Sequence, residues 1–287
     1  MTIPDKPKTI YAASMEYMEG LVSRAMNPII PTGFSVIDNL VGGLQSPQVI
    51  LLAGRSCVGK TALFLNLAMN IARTDSVPVA IFSPDNSDVQ LLLKIYNQYG
   101  IDSTKFSDGS KLLMEDLSTI SEVQDSLKEV PLYIDDTQFQ TLEEIAGKIT
   151  RLAKEKEVKV IFIDRMEFFD VSTSLTSSER KYLAMQTHRQ LADKFNITII
   201  ASERFRTIND LKPIDLKEFE EKGYSYETLK EFVDVAAVLY RPAVYGKDDR
   251  TNSAELTVLH NRNGRRDITL DLQFVPDLYS FRDIENG

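Results

Sequence analysis

The chain has a single cysteine, Cys57, in 287 residues. It can form no internal disulfide, which fits a reducing cytoplasm. Histidine is almost as scarce, with two in all. No His/Cys cluster has the spacing of a transition-metal site, and no Ser/His/Asp arrangement suggests a hydrolase triad. No apolar run reaches the roughly 18 residues that a membrane span needs. Residues 1–10 hold Pro4, Lys6, Pro7 and Lys8 without an apolar core behind the lysines, which argues against a secretory signal. An excess of positive charge is missing too: the formal net charge is −9 and the pI about 4.9. An acidic mean works against nucleic-acid binding, because phosphate contacts supply most of that affinity, although it leaves room for a local basic groove.

What is present is the balance of a globular protein, 43% hydrophobic and 26% charged. The length suits one large domain with an appended arm. We divide it into residues 1–30, an arm and helix, and residues 31–287, the main domain. Within the first part Met15, Met18, Leu21, Val22 and Ala25 fall at helical spacing between Tyr11 and Met26, and Asn27-Pro28 ends the run. Such a helix has little to pack on by itself; it either folds back on its own domain or docks on a neighbouring subunit.

From Pro31 onward strands alternate with helices. Gln48 to Ala53 is an apolar strand, followed by a glycine loop and a helix from Lys60 to about Arg73. Further strands are expected at Pro78 to Ser83, Pro131 to Asp135, Lys159 to Asp164 and Ile197 to Ser202. Ser121 with Gln124, and Thr141 with Glu144, have the spacing of capping boxes at helix starts. Short, nearly continuous apolar strands separated by helices predict an α/β fold, with a mostly parallel central sheet covered on both faces. The last third changes character: Asp234 to Arg241, Ala254 to His260 and Ile268 to Val275 read as strands that extend one sheet edge, partly antiparallel.

The loop after the first strand reads Gly54-Arg55-Ser56-Cys57-Val58-Gly59-Lys60-Thr61. The pattern G-x-x-x-x-G-K-T between a strand and a helix is that of a P-loop, or Walker A motif, which binds a nucleoside triphosphate with Mg2+. Its glycines let backbone N–H groups converge on phosphates, and the helix N-terminus adds its dipole. Lys60 is expected to reach the β- and γ-phosphates, and Thr61 to place its hydroxyl on magnesium. A second carboxylate on the metal side is expected at the end of an apolar strand. Asp164 is the first candidate and Asp135 the second, its alternative role being a turn or helix-cap aspartate. Hydrolysis also needs a group that orients water. Asp85 stands just past a neighbouring strand, with a helix N-cap as its alternative role, and Glu203 and Arg204 are candidate γ-phosphate sensors. Cys57 is a small residue that fits the loop, and His188 lies in a helical pattern as a structural or surface residue.

Together these residues resemble the RecA-like motor domain of DnaB-type replicative helicases over nearly all of residues 30–285. The likeness rests on Pro31-Thr32-Gly33-Phe34-Ser35-Val36-Ile37-Asp38, similar to the family's TGxxxLD element, and on Gly42-Gly43-Leu44. It continues through the P-loop, Val79-Ala80-Ile81-Phe82-Ser83 and Ile161-Phe162-Ile163-Asp164, and ends with Tyr240-Arg241 and Arg262-Asn263-Gly264. The resemblance implies a homo-oligomeric ring, usually a hexamer, with ATP held between neighbours, and single-stranded DNA in its centre. It implies that Arg262 is the arginine finger that reaches the next subunit's γ-phosphate. The helix from Tyr11 to Met26 then corresponds to the linker helix that docks on that neighbour. Too few residues precede Pro31 for the family's N-terminal helical domain.

Departures from the family pattern cluster around the γ-phosphate. The family's catalytic glutamate falls at Asp85, one methylene shorter; a misplacement of about 1 Å can lower a rate about a hundredfold. The family's γ-phosphate-sensing glutamine falls at Glu203, and the lysine two residues before the finger is His260. The loops that face DNA in the family fall at about 171–182, with Arg180 and Lys181, and at 204–230. The second holds six basic and six acidic residues, a balance more typical of a solvated surface than of a polyanion track. Arg262, Arg265 and Arg266 form the densest basic cluster. Two functions follow: an ATP-hydrolysing, DNA-translocating motor, or a nucleotide-binding helicase relative with an assembly or regulatory role and weakened hydrolysis. A small-molecule kinase on the same P-loop lacks an arginine-rich lid or an acceptor-binding signature.

Overall fold

The computed structural model describes residues 9–26, 28–74, 76–107, 111–166, 175–205, 213–245 and 252–284. Two helices, α1 (Ile10–Met26) and α2 (Ser35–Val41), precede the first strand, β1 (Gln48–Gly54). Then come α3 (Lys60–Thr74), β2 (Val79–Phe82), α4 (Asp88–Gln98), α5 (Met114–Leu127) and β3 (Leu132–Asp135). The alternation continues with α6 (Leu142–Glu155), β4 (Val160–Ile163), α7 (Ser177–Phe195) and β5 (Thr198–Arg204). Two short helices, α8 (Leu216–Glu221) and α9 (Tyr226–Phe232), lead into β6 (Val235–Tyr240). The chain closes with β7 (Ser253–Asn261), β8 (Ile268–Val275) and β9 (Ser280–Asp283).

The strands form one nine-stranded sheet in the order β3-β2-β4-β5-β1-β6-β7-β8-β9. Neighbours from β3 through β6 run parallel. β7, β8 and β9 extend the sheet antiparallel. This is the expected α/β architecture with an antiparallel edge. Strand pleating sends alternate residues to opposite faces, and both faces are covered. Leu52, Phe162 and Ile200 join the core against α3, where the Phe64 and Phe162 rings lie 5.1 Å apart. Leu51, Ala53, Ile161, Ile163, Ile199 and Ala201 join the core against α6 and α7, with Ile145, Ile149 and Ala184. Which residues share a face with α3 decides the site described below.

Local chemistry sets several boundaries. At α6 the Thr141 and Glu144 capping box is in place, as expected. Ser121 with Gln124 is not a helix start, because both lie inside α5. That helix begins at Met114, where the Asp116 carboxylate accepts from the Leu113 N–H at 2.8 Å. The S-x-x-Q spacing carries no information on whether a turn precedes it. Capping boxes that escaped the sequence reading stand at Ser87/Gln90 and Thr176/Glu179. β9 escaped it too: four residues are too few for periodicity, and pairing with β8 makes them a strand.

The motif before α2 has a mechanical role. Gly33 sits at φ +80°, where a Cβ would lie 2.5 Å from the Asn70 side chain on α3. Only glycine allows that approach in the left-handed region. The Asp38 carboxylate accepts from the Thr32 N–H at 3.0 Å, and Asn70 Nδ2 donates to Thr32 O at 3.3 Å. The segment thereby docks on α3. On α1, Ile10, Tyr11, Met15, Tyr17 and Met18 are exposed. Among the described residues no helix is long and apolar enough to cross a membrane.

Candidate nucleotide-binding site

The P-loop joins the C-terminal end of β1 to the first turn of α3. Cys57 at φ +63° and Gly59 at φ +101° turn the backbone tightly around the helix start. A Cβ on Gly59 would fall 2.9 Å from the Phe281 ring on β9. Asn66 on α3 fixes that neighbour by accepting from the Phe281 N–H at 2.7 Å. The buried Lys60 ammonium lies across its own loop and donates to Gly54 O at 2.8 Å and Arg55 O at 2.9 Å.

Thr61 Oγ1 donates to Asp164 Oδ2 at 2.7 Å, and Ser202 Oγ donates to the other carboxylate oxygen at 3.0 Å. Ser202 in turn accepts from the Arg165 N–H at 2.7 Å. Thr61 lies in the first turn of α3, Asp164 follows β4, and Ser202 lies on β5. Asp164 and Ser202 share the pleat parity of Phe162 and Ile200, so they project to the α3 face. Ser202 was not singled out from sequence, since a serine in an apolar strand carries no spacing signal.

Asp135 stands on the edge strand β3, with β2 and β4 between it and β5, and Lys148 Nζ approaches it at 2.6 Å. Burial opposes its charge, yet hydrogen bonds from Lys148 and Thr137 prevail and hold the carboxyl below its ordinary value. It also accepts from the Thr137 N–H at 3.0 Å. Its surroundings match the turn role considered for it.

Glu203 and Arg204 part company. Glu203 has the parity of Ala201 and is buried on the α7 face, where Lys181 Nζ lies 2.9 Å from Oε1. Lys181 also donates to Lys222 O at 2.9 Å and sits 4.5 Å from the Tyr224 ring centre. Arg204 has the opposite parity, and its Nε donates to Ser56 Oγ of the P-loop at 2.8 Å. Arg55 leaves the loop in another direction. Its guanidinium makes a paired contact with Glu218 on α8, at 3.0 and 3.1 Å. Part of the acidic charge in the 204–230 stretch is thus engaged inside the molecule. Residues 167–174 and 206–212, within or beside the segments that face DNA in the family, lie outside the described residues.

Asp85, past β2, forms an ion pair with Arg165. Next to it, Asn86 accepts from Lys94. Burial lowers the Lys94 ammonium from its ordinary value, while the Asp164 charge works the other way. The Tyr279 ring lies 5.6 Å from Lys94 Nζ, and burial, with Asp164 adding to it, pushes its hydroxyl up to about 12. The Arg241 guanidinium lies 3.6 Å from the Phe274 ring centre, at the side of Gly59. Arg165, Lys94 and Tyr279 are further residues near Asp164 that sequence reasoning missed. Arg165 alone carried a signal, its place directly after Asp164.

Arg262 lies at the other end of the sheet. Its Nη2 donates to Lys230 O at 2.9 Å and Glu231 O at 3.1 Å, at the C-terminus of α9. Its Nε is 3.2 Å from Asp234 Oδ1, and Asp234 accepts from the N–H of Val49 near the start of β1 at 2.8 Å. The length of β1, about 20 Å at 3.3 Å per residue, separates this guanidinium from its own P-loop. His260 is buried with Nε2 3.2 Å from Val233 O, and burial lowers its pKa. His188 is buried on α7, which pushes its pKa down to about 4.

A glycine loop between a central parallel strand and its helix, facing a carboxylate past β4 across the intervening β5, belongs to the RecA-like class of α/β folds. The chain is a member of the DnaB-like helicase C terminal domain family, whose model matches residues 29–283. It is 30% identical over 263 residues to the replicative DNA helicase DnaB of Geobacillus stearothermophilus, covering 89% of this chain and 57% of that protein. It is also 30% identical over 264 residues to the replicative DNA helicase DnaC of Bacillus subtilis, with 89% and 57% covered. The chain therefore spans little more than half the length of these relatives. Among solved structures, a DnaB-like replicative helicase, described with its interactions with primase, superposes with a TM-score of 0.81 at 20% identity, covering 96% of this chain and 69% of that one.

Proposed function

We propose that this chain binds ATP with Mg2+ in the loop Gly54, Arg55, Ser56, Cys57, Val58, Gly59, Lys60 and Thr61, and couples its hydrolysis to movement along single-stranded DNA in a ring. The observation that carries the nucleotide reading is the 2.7 Å contact between Thr61 and Asp164 beside the buried Lys60, and the DNA and ring part is supported by membership of the DnaB-like family. A hydroxyl and a carboxylate are hard oxygen donors, and magnesium in nucleotide sites takes one or two protein ligands of this kind with water and phosphate oxygens. Gly59, in the left-handed region, supplies the tight loop that a phosphate group needs. ATP with magnesium supplies the transferable phosphoryl group and the charge that polarises it. Lys60 is assigned to neutralising the outer phosphates, Thr61 and Asp164 to the metal, and Asp85 to ordering water.

Arg262 faces away from its own loop, which supports a role toward a neighbour's nucleotide and hence an oligomer. We assign residues 31–287 to the ATPase unit and residues 1–30 to an arm and linker helix, in a cytoplasmic protein. The second reading, a hydrolysis-weakened relative with an assembly or regulatory role, is favoured by the burial of Glu203 on the α7 face and by the pairing of Asp85 with Arg165. ATP turnover with and without single-stranded DNA separates the two. DNA-stimulated turnover that Lys60→Ala abolishes supports the motor. Nucleotide binding without turnover at any DNA concentration rejects it.

A further inference from the structure

β2 and β4 are adjacent and parallel, with Phe82 in register with Ile163. The loops that follow them leave the sheet side by side. Asp85 lies three residues past its register position and Arg165 two, which puts both just beyond the C-terminal ends of two adjacent strands. Arg165 directly follows Asp164 and adopts φ +77°. The left-handed region is unfavourable for a residue with a long side chain, and such conformations persist where the surroundings over-determine them. Here the Arg165 N–H is held by Ser202, which also holds Asp164. The backbone at Arg165 is therefore one bond network away from Thr61. Its side chain runs toward the loop after β2 and pairs with Asp85, with 14% and 30% of the two side chains exposed.

An arginine in this place faces a choice of anions. Guanidinium stays charged and binds planar or tetrahedral oxyanions through paired N–H donors. Asp85 offers it one negative charge, whereas a terminal phosphate offers about two, spread over three oxygens. A carboxylate oxygen that accepts from a guanidinium has less capacity left for water.

We propose that Arg165 is a triphosphate-sensing residue that exchanges Asp85 for the γ-phosphate, so that Asp85 becomes available to order water when a triphosphate is bound. This rests on the nucleotide-site reading above. It assigns to Arg165, whose backbone N–H is held by Ser202, a sensing role that Glu203, buried against Lys181, is poorly placed to fill. No bond is made or broken in the exchange; one charged hydrogen-bonded pair replaces another.

The test is affinity, measured by calorimetry on the full chain with Mg-ADP and with the non-hydrolysable Mg-β,γ-imido-ATP. A hydrogen bond between charged groups corresponds to about a tenfold change in binding. Arg165→Ala should lower imido-ATP affinity about tenfold and leave ADP affinity unchanged. Asp85→Asn, which frees Arg165 without removing it, should raise imido-ATP affinity several-fold, again with ADP unchanged. Equal shifts for both nucleotides in Arg165→Ala, or an unaltered triphosphate preference in Asp85→Asn, overturn the assignment while the nucleotide site stands. A wild-type chain that binds neither nucleotide overturns the underlying reading together with it.

Discussion

Two walls of residues at the C-terminal edge of the sheet differ in how their charges are used. One wall, from β1, α3 and β4, brings Lys60, Thr61 and Asp164 together on a single face. The other, from the ends of β2 and β5 and the residue after Asp164, ties its charges into local pairs: Asp85 with Arg165, and Arg204 with Ser56. The first wall depends on a backbone turn and one pleat parity, which tolerate change in surrounding loops. The second depends on the free end of a carboxylate, which one neighbouring arginine can claim. Binding a phosphate and activating water are therefore separable in this fold.

Replacing Asp85 gives the largest expected effect if the second wall works in the motor sense. Asp85→Ala should reduce ATP turnover about 10²–10⁴-fold, the usual contribution of a positioned base, while ADP still binds. Steady-state turnover checks this, and unchanged turnover would remove Asp85 from the hydrolytic wall. On the first wall, Lys60→Ala should weaken triphosphate binding about a hundredfold, because a buried charge-assisted contact is lost. A titration with a fluorescent triphosphate reads it, and retained affinity would break the division between the walls.

Directed away from both walls is the Arg55–Glu218 pair, with 6% and 17% of its side chains exposed. Glu218→Ala takes the paired carboxylate away from a buried guanidinium and should cost about 3 kcal/mol of stability. A lowered denaturant midpoint with unchanged slope is the expected signature. Thr141→Ala, at the start of α6 on the β3 side of the sheet, should cost about 1 kcal/mol through its lost cap. Nucleotide affinity should not move in that variant. If it does, the walls are coupled to the outer helices.

Much of the fold was legible because its signals are local. The runs at 48–53, 159–164 and 197–202 are strands because continuous apolar residues bounded by turns suit a doubly covered parallel sheet. The P-loop was legible because its glycines serve a local backbone shape and Lys60-Thr61 follow them at a fixed spacing. Asp164 was ranked over Asp135 on the length of its strand, and the pair separates in space: one meets Thr61, the other Lys148. Glu203 was less legible than its position suggested. Its parity opposite to Ser202 follows from strand alternation, but that alternation has meaning only once the face bearing α3 is known. Ser202, Lys94 and Tyr279 carry no motif, and they come near Asp164 through strand order and the turn before β9.

The sequence by itself determined that the chain holds a strand–glycine-loop–helix unit within an alternating α/β domain, and that it resembles the DnaB-type family. The first comes from periodicity and from glycines at set intervals, which act over a few residues, and the resemblance comes from short motifs such as Arg262-Asn263-Gly264. Tertiary structure decided which charges meet. Arg165 reaches Asp85 because β2 and β4 are neighbours, and Glu203 turns to Lys181 because the pleat points it at α7. Arg262 lies a strand's length from its own P-loop because β7 runs antiparallel to β6. Electrostatic pairing acts over a few ångströms between residues far apart in the chain, so only the packed sheet could assign the partners.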